Sequence, residues 1–90
     1  MLKRFWFVRN TEDRFGVHNY GVTANTKDEA TDILMKYLTK FDREESKRIK
    51  KDTEVIENID VRLLDQNHII PNMGVVTFKG IWWPNLNLYV

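Results

Sequence analysis

The stretch that decides the fold is KRFWFV at residues 3–8, where four apolar residues follow one another without a polar break. Successive side chains of a β-strand point to opposite faces of its sheet, so a strand with a single buried face alternates apolar and polar residues. In this stretch Phe5 and Phe7 fall on one face, and Trp6 and Val8 fall on the other. We therefore predict a strand that is covered on both faces.

A second stretch of this kind is GVVTFKGIWWP at residues 74–84. Its adjacent tryptophans, Trp82 and Trp83, point to opposite faces in a regular strand and cannot both pack under one helix. Pro84 is expected to end the strand, because proline cannot donate to a β-ladder. The second face of the sheet then needs its own cover, which we expect to be either the tail of the chain or a partner molecule.

Two further strands are predicted between these stretches. One runs over residues 15–24 and forms a hairpin with the first strand across the polar bend at residues 10–14. Gly16 and Gly21 lie inside it, and an internal glycine indicates a bulge, a close approach of another backbone or an edge position. The other strand begins near Val55, because residues 58–63 (NIDVRL) alternate with period two.

One amphipathic helix is predicted from Thr26 to Lys40. Thr26 and Glu29 have the spacing of a capping box, and Asp28 places a negative charge where the helix dipole favours it. The apolar residues then recur with helical period as one stripe, which we expect to pack on the sheet: Ala30, Ile33, Leu34, Tyr37, Leu38 and Phe41.

These elements predict an α+β fold with an antiparallel sheet of about four strands, in the order β-β-α-β-β, and one main helix packed on one face. Ninety residues make a single domain, spanning residues 1–90. Residues 42–54 contain one apolar side chain, Ile49, and are expected to form a charged connector or a short exposed helix starting at Asp42 and Glu45. The tail at residues 85–90 either adds a short edge strand or frays.

The composition narrows the possible partners and compartments. Fourteen basic and thirteen acidic residues leave a net charge of +1, so no global field draws the chain to nucleic acid or anionic lipid. There is no cysteine, which fits a reducing compartment, and we expect a cytoplasmic protein. The first apolar run ends at Arg9, too early for a secretory leader, and no stretch has the length of a membrane span, so no membrane partner is expected.

No motif with a catalytic or cofactor-binding mechanism occurs. Phosphate-binding loops, nucleophile elbows and zinc-ligand spacings are all absent from the sequence, so we predict no cofactor, no metal site and no catalytic residue. One enzymatic alternative stays open, because imidazoles titrate near neutral pH. It is a small acid–base enzyme in which His18 and His68 share one cleft.

The surplus of aromatic residues favours a non-enzymatic protein-binding module, such as an inhibitor, an immunity factor or a regulatory adaptor. Large aromatic side chains act as hot spots in interfaces. The expected binding residues lie on the sheet and on the loop before the last strand: Trp6, Trp82, Trp83, Asn72 and Met73. Homodimerisation is the simplest form of this function, because a second copy would cover the open sheet face.

The alternative partner is single-stranded nucleic acid, bound by stacking on exposed aromatic side chains beside a basic patch. The basic residues of that patch lie in the charged connector: Lys47, Arg48, Lys50 and Lys51. This reading requires a steep salt dependence of affinity.

Residues 65–74 (DQNHIIPNMG), together with GIWWP at residues 80–84, resemble the C-terminal signature of a family of small bacterial proteins without an assigned activity. The N-terminal FWF at residues 5–7 and GVTA at residues 21–24 are similar to the same family. The resemblance implies that the PNMG loop and the GIWWP strand form one functional unit. It implies no activity and no catalytic residue.

Overall fold

Four strands of this protein form one antiparallel sheet, which confirms the α+β class. Their order across the sheet is β3 (Glu54–Glu57), β1 (Lys3–Val8), β2 (Tyr20–Ala24) and β4 (Gly80–Trp83). The structure is a computed structural model that describes residues 1–85, with the side chains of these residues apart from 48 and 50–52. Of the predicted tail at residues 85–90, residues 86–90 lie outside the described residues. The elements in chain order are β1 (Lys3–Val8), β2 (Tyr20–Ala24), α1 (Lys27–Phe41), α2 (Arg43–Asp52), β3 (Glu54–Glu57), a 3₁₀ turn (Val61–Leu63) and β4 (Gly80–Trp83).

Strand β1 has the two-faced burial that its sequence predicts. Phe5 and Phe7 belong to a cluster with the buried side chains of α1, whereas Trp6 and Val8 belong to a second cluster on the opposite face. All four are buried. The sheet is therefore a layer between two apolar clusters.

Helix α1 begins and packs as predicted. Thr26 is the N-cap, and its hydroxyl oxygen accepts a hydrogen bond from the Glu29 backbone N–H at 3.1 Å. The buried residues of α1 are Ala30, Leu34 and Leu38, one per turn on one face. The stripe ends earlier than expected, because Phe41 is 60 % exposed. Its ring contacts that of Tyr37, which is partly buried against the core cluster.

Residues 42–54 are not a linker, because most of them form helix α2. Asp42 caps this helix by accepting from the Glu45 backbone N–H at 3.2 Å, so the alternative of a helix starting at these two residues is confirmed. Ile49 joins the core cluster beneath α1. The prediction of a connector underestimated the stability of this helix. One buried apolar residue, an N-cap and the pairing of the Glu45 carboxylate with Arg9 together stabilise it.

Three strands are shorter than predicted. Strand β2 begins at Tyr20 rather than near residue 15, because residues 11–19 form turns and bends. Strand β3 ends at Glu57, and Asn58 follows with a φ of 57°, a left-handed conformation that breaks the extended backbone. The alternating residues after it form the 3₁₀ turn, where the Asp60 side chain accepts a hydrogen bond from the Arg62 backbone N–H. Strand β4 contains only Gly80–Trp83, because residues 74–79 are irregular.

The second face of the sheet is covered by the chain between β3 and β4. Three buried residues of this segment, Ile59, Leu64 and Ile69, pack with Trp6 and Trp82. The prediction that this face needs a tail or a partner is therefore wrong. That prediction assumed that only helices and strands can cover a sheet. Here the cover consists of turns whose backbone groups form hydrogen bonds.

Hydrogen bonds attach this covering segment to the sheet at both ends. Near its start, the Ile59 N–H donates to the Arg4 carbonyl, and Arg4 Nε donates to the Ile59 carbonyl, both at 3.1 Å. Near its end, the Thr23 hydroxyl donates to the Val76 carbonyl at 2.6 Å, and the Gly74 N–H donates to the Trp82 carbonyl at 2.8 Å. These contacts hold the irregular chain in register with the strands beneath it.

A bulge places both C-terminal tryptophans on the same side of the sheet. Gly21 pairs with Trp83 and Val22 pairs with Ile81, so Trp82 has no partner of its own in the register. Trp82 and Trp83 both pack on the second cluster, contrary to the expectation for a regular strand. A Cβ atom on Gly21 would lie 2.5 Å from Cη2 of Trp82. Gly21 thus marks the bulge that its sequence position suggested. The group that approaches it closely is an indole ring rather than another backbone, and β2 is an inner strand rather than an edge.

Within the described part of the chain, no helix has the combination of length and apolar character that crossing a bilayer requires.

Candidate binding cleft

An open cleft of about 500 Å³ lies where the β1–β2 connection, the start of α2 and the end of β4 meet. This volume is in the range of small-ligand and peptide-side-chain sites. Its lining comes from four separate parts of the chain: Arg9, Asn10, Val17, His18, Asn19, Tyr20, Glu45 and Pro84. Because the lining residues are far apart in sequence, no single sequence motif predicts the cleft.

The floor of the cleft is built by one buried asparagine. Asn19 is almost completely buried, and its side-chain oxygen accepts from the Asn10 backbone N–H at 2.9 Å. Its amide nitrogen donates to the carbonyls of Asp13 and Gly16 at 2.8 and 2.9 Å. These three bonds replace a β-ladder and fold the long connection into a compact turn. Sequence reasoning missed this role, because an asparagine in a polar stretch looks like any loop residue.

Two tryptophans tie the same connection to the sheet. Trp6 Nε1 donates to the Arg14 carbonyl at 2.7 Å, and Trp83 Nε1 donates to the Val17 carbonyl at 3.1 Å. Trp82 Nε1, in contrast, is buried without an acceptor among the described residues. The rim of the cleft at Val17 is therefore held by a half-buried indole from β4.

An ion pair crosses the cleft from β1 to α2. Arg9 Nε donates to Glu45 Oε1 at 2.7 Å, and the Glu45 side chain is only 10 % exposed, compared with 32 % for Arg9. The hydrogen bond with Glu45 raises the pKa of the Arg9 guanidinium further above its ordinary value. Because the carboxylate is nearly buried, removing Arg9 would leave an uncompensated charge, a change that typically costs several kcal/mol (about 3–5).

Tyr20 is the neutral donor of the cleft. Burial, followed by the charge of Glu45, raises the pKa of its phenol to about 12, while Arg9 opposes the shift and Asp42 adds to it. The hydroxyl is therefore protonated at neutral pH and available as a hydrogen-bond donor. The repulsion by Glu45 and Asp42 also shows that the charges around the hydroxyl do not add up to a positive site.

The charge balance decides which ligands the cleft does not favour. At about 5 Å, two unit charges interact by about 3 kcal/mol at an effective dielectric constant near 20. An anion beside Arg9 would therefore gain from the guanidinium roughly what it loses to Glu45, and Asp42 would add a further repulsion. The pair leaves the cleft polar but without a net attraction for negative charge.

The structure separates the five residues that the sequence assigned to protein binding. Trp6 and Trp82 are both fully buried and their rings stack with centroids 5.7 Å apart, so they belong to the core. The expectation that they lie on an uncovered sheet face is wrong, because residues 59–76 cover them. Met73 is partly buried in that cover, whereas Asn72 is exposed and donates to the His68 carbonyl. Trp83 does not line the cleft itself, but it contacts a lining residue through its hydrogen bond to the Val17 carbonyl.

The two histidines lie in different surroundings. His18 lines the cleft, whereas His68 is not among the lining residues and its ring contacts the Asp65 carboxylate at 3.2 Å. Asp65 caps this turn by accepting a hydrogen bond from the His68 backbone N–H. This hydrogen bond is the largest cause of the lowered pKa of the Asp65 carboxyl. The structure thus assigns His68 to the covering segment and His18 to the cleft.

The residues of the predicted basic patch all fall on α2. Lys47 is largely exposed, with Glu44 at 4.0 Å, and the side chains of Arg48, Lys50 and Lys51 lie outside the described part of the structure. Phe41 is exposed at the end of α1, and Lys40 Nζ lies 5.5 Å from its ring centroid. Lys40 thus places one cation beside an exposed aromatic ring at the end of α1, on the helix that precedes the patch.

Among the side chains that the structure describes (residues 1–47, 49 and 53–85), no three from His, Cys, Asp or Glu gather closely enough to hold a metal ion.

Comparison with protein-family models, with curated proteins and with solved structures finds no match for this chain.

Proposed function

We propose that this protein is a protein-binding module that uses the cleft between Arg9, Tyr20, Glu45 and Pro84 to bind a peptide segment of its partner. The observation that carries the proposal is the mixed lining of one open cleft, with apolar side chains at Val17 and Pro84 beside polar groups fixed by an internal ion pair. Binding sites combine apolar walls with a few oriented polar groups in this way.

The rigidity of the lining supports the same function. Asn19 fixes the turn below the cleft by three hydrogen bonds, and Trp83 fixes its rim through the Val17 carbonyl. A cleft that is already shaped loses less conformational entropy when it binds, which leaves more of the contact energy as affinity. In this proposal Trp83 supports the rim by holding the Val17 backbone in place.

A selection of random peptides displayed on phage, with the whole protein as bait, tests this proposal. Two variants with the same type of change localise the binding: Val17→Ser at the cleft and Leu63→Ser at an exposed site on the 3₁₀ turn. We expect selected peptides to bind Val17→Ser about tenfold more weakly, because two buried methyl groups contribute about 0.8 kcal/mol each. Leu63→Ser should bind them like the parent.

Failure to enrich any peptide, or an equal loss of affinity in both variants, would contradict the proposal. Light scattering of the parent at several concentrations separates a partner peptide from a second copy of the chain. A dimer that Val17→Ser dissociates would identify the partner as self.

Single-stranded nucleic acid is a second candidate, supported by the exposed ring of Phe41 beside Lys40 and by Lys47 on the next helix. Bases stack on exposed rings beside cations, and the affinity of such sites falls steeply with salt. Titration with labelled oligothymidylate at low and high salt tests it. Phe41→Leu should weaken binding, and an absence of binding at low salt would remove this candidate.

A further inference from the structure

The cleft offers hydrogen-bond donors that no described residue uses. Arg9 donates only its Nε–H to Glu45, and its two Nη groups have no partner among the described residues. The Tyr20 hydroxyl also has no partner among the described residues. Asn19 has both of its side-chain atoms engaged, and Asn10 accepts from the Glu12 N–H. The exposed ring of His18 can donate or accept, and the other accessible side-chain groups are mainly donors.

Acceptors are scarce in the same cleft. The second oxygen of Glu45 belongs to a side chain that is only one-tenth exposed, and the Val17 carbonyl already accepts from Trp83. A ligand that satisfies the cleft must bring acceptor atoms. Unmet donors that become desolvated on binding would otherwise cost free energy, so this requirement selects between ligands.

The acceptors of the ligand are best uncharged. Glu45 already balances Arg9, and Asp42 adds negative charge nearby, so a carboxylate gains little from this site. An ammonium or guanidinium group brings donors to a site that already presents donors. Backbone carbonyl oxygens of a polypeptide are neutral acceptors, and they are repeated at regular spacing along an extended chain.

We propose that the cleft binds an uncharged, apolar stretch of polypeptide. The backbone carbonyls of this stretch accept hydrogen bonds from Arg9 and Tyr20, and one of its apolar side chains lies against Val17 and Pro84. The inference rests on the proposed function and specifies its ligand. It separates this protein from modules that recognise acidic or basic motifs.

Three small probes of matched shape test the chemistry by NMR titration of the backbone amides. They are N-acetyl-leucine N-methylamide, which is neutral; N-acetyl-leucine, which is an anion; and leucine N-methylamide, which is a cation. We expect the neutral probe to shift the amides of Val17, His18 and Asn19 at the lowest concentration. Each charged probe should need an at least fivefold higher concentration.

Two matched variants then assign the contact. Tyr20→Phe removes the donor in the cleft and keeps the ring, and we expect it to weaken the neutral probe about fivefold, the usual effect of one hydrogen bond. Tyr37→Phe makes the same change on α1 and should have no effect. Arg9 is left unchanged, because its loss would expose an unpaired Glu45.

The outcomes distinguish the two proposals. If a charged probe binds best, or if Tyr20→Phe has no effect while phage-selected peptides still require Val17, the ligand chemistry is wrong and the peptide-binding function stands. If no probe binds and no peptide is enriched, both proposals fall. Preferential binding of the neutral probe with loss in Tyr20→Phe supports both.

Discussion

The two faces of the sheet are covered by different kinds of structure. One face lies under α1, where Ala30, Leu34 and Leu38 recur at helical spacing and the backbone satisfies its own hydrogen bonds. The other face lies under an irregular segment, where Leu64 and Ile69 come from separate turns. Both covers bury aromatic side chains of β1 completely.

This difference shows how an irregular segment can cover an apolar sheet face as a helix does. A helix needs only an apolar stripe to cover a sheet, whereas an irregular segment must also satisfy its own N–H and C=O groups. Here Asp60 and Asp65 cap their own turns, and bonds such as that of Thr23 to the Val76 carbonyl attach the segment to the strands. The helical cover is held by hydrogen bonds within the helix itself. The irregular cover also needs hydrogen bonds to the strands beneath it.

The largest expected effect compares one buried side chain from each face. Trp82→Ala should lower the free energy of unfolding by about 3–5 kcal/mol, and Leu34→Ala by about 2–5 kcal/mol. Trp82 should be at least as costly, because its loss also removes the stack with Trp6. Denaturant unfolding of both variants measures this. A cost below about 1 kcal/mol for Trp82→Ala, no more than a surface substitution, would show that the irregular cover simply collapses into the gap.

A smaller effect sharpens the comparison at the bulge. Gly21→Ala should destabilise the protein by about 1–3 kcal/mol, because its Cβ would lie within 2.6 Å of three ring atoms of Trp82. Those atoms are absent in Trp82→Phe, so the cost of Gly21→Ala should shrink in that background, a coupling that a double-mutant cycle measures.

Gly16→Ala is the matched control for this cycle. Its Cβ would approach the exposed carboxylate of Asp13, which can move into solvent. We expect a change within about 0.5 kcal/mol. Equal costs at Gly16 and Gly21 would point to backbone flexibility rather than to contact with the indole.

The smallest effect lies at the border of the two faces, where Tyr20 packs on the helical side and Pro84 follows the tryptophans of the other side. The Tyr20 phenol has a pKa raised to about 12, so its contribution to stability is fully present below pH 10 and is lost as the pH rises through about 12. Glu45→Gln removes the largest charge contribution and should lower this pKa. Ultraviolet titration of tyrosine ionisation, with Tyr20→Phe to identify the signal, checks the direction. An unchanged pKa would contradict the ion-pair geometry.

Much of the fold followed from local patterns in the chain. The apolar residues of β1, the cap at Thr26 and the glycine at Gly21 were each interpretable from their neighbours. Helix α2 was foreseen only as an alternative, because its stability depends on Glu45 pairing with Arg9 across a long sequence separation. Of the predicted binding residues, Trp83 contacts the cleft residue Val17, whereas Trp6 and Trp82 are core residues.

Sequence periodicity alone was enough to predict that β1 is buried on both sides and that one helix covers one of them, because period and capping act between residues close in the chain. The identity of the second cover, the shared face of Trp82 and Trp83, and the cleft around Asn19 emerged only in three dimensions. Each depends on contacts between segments far apart in sequence, such as the bond from Thr23 to the Val76 carbonyl. No local pattern encodes such contacts, because they form only when strands and turns have already been brought together by the packing of the whole chain.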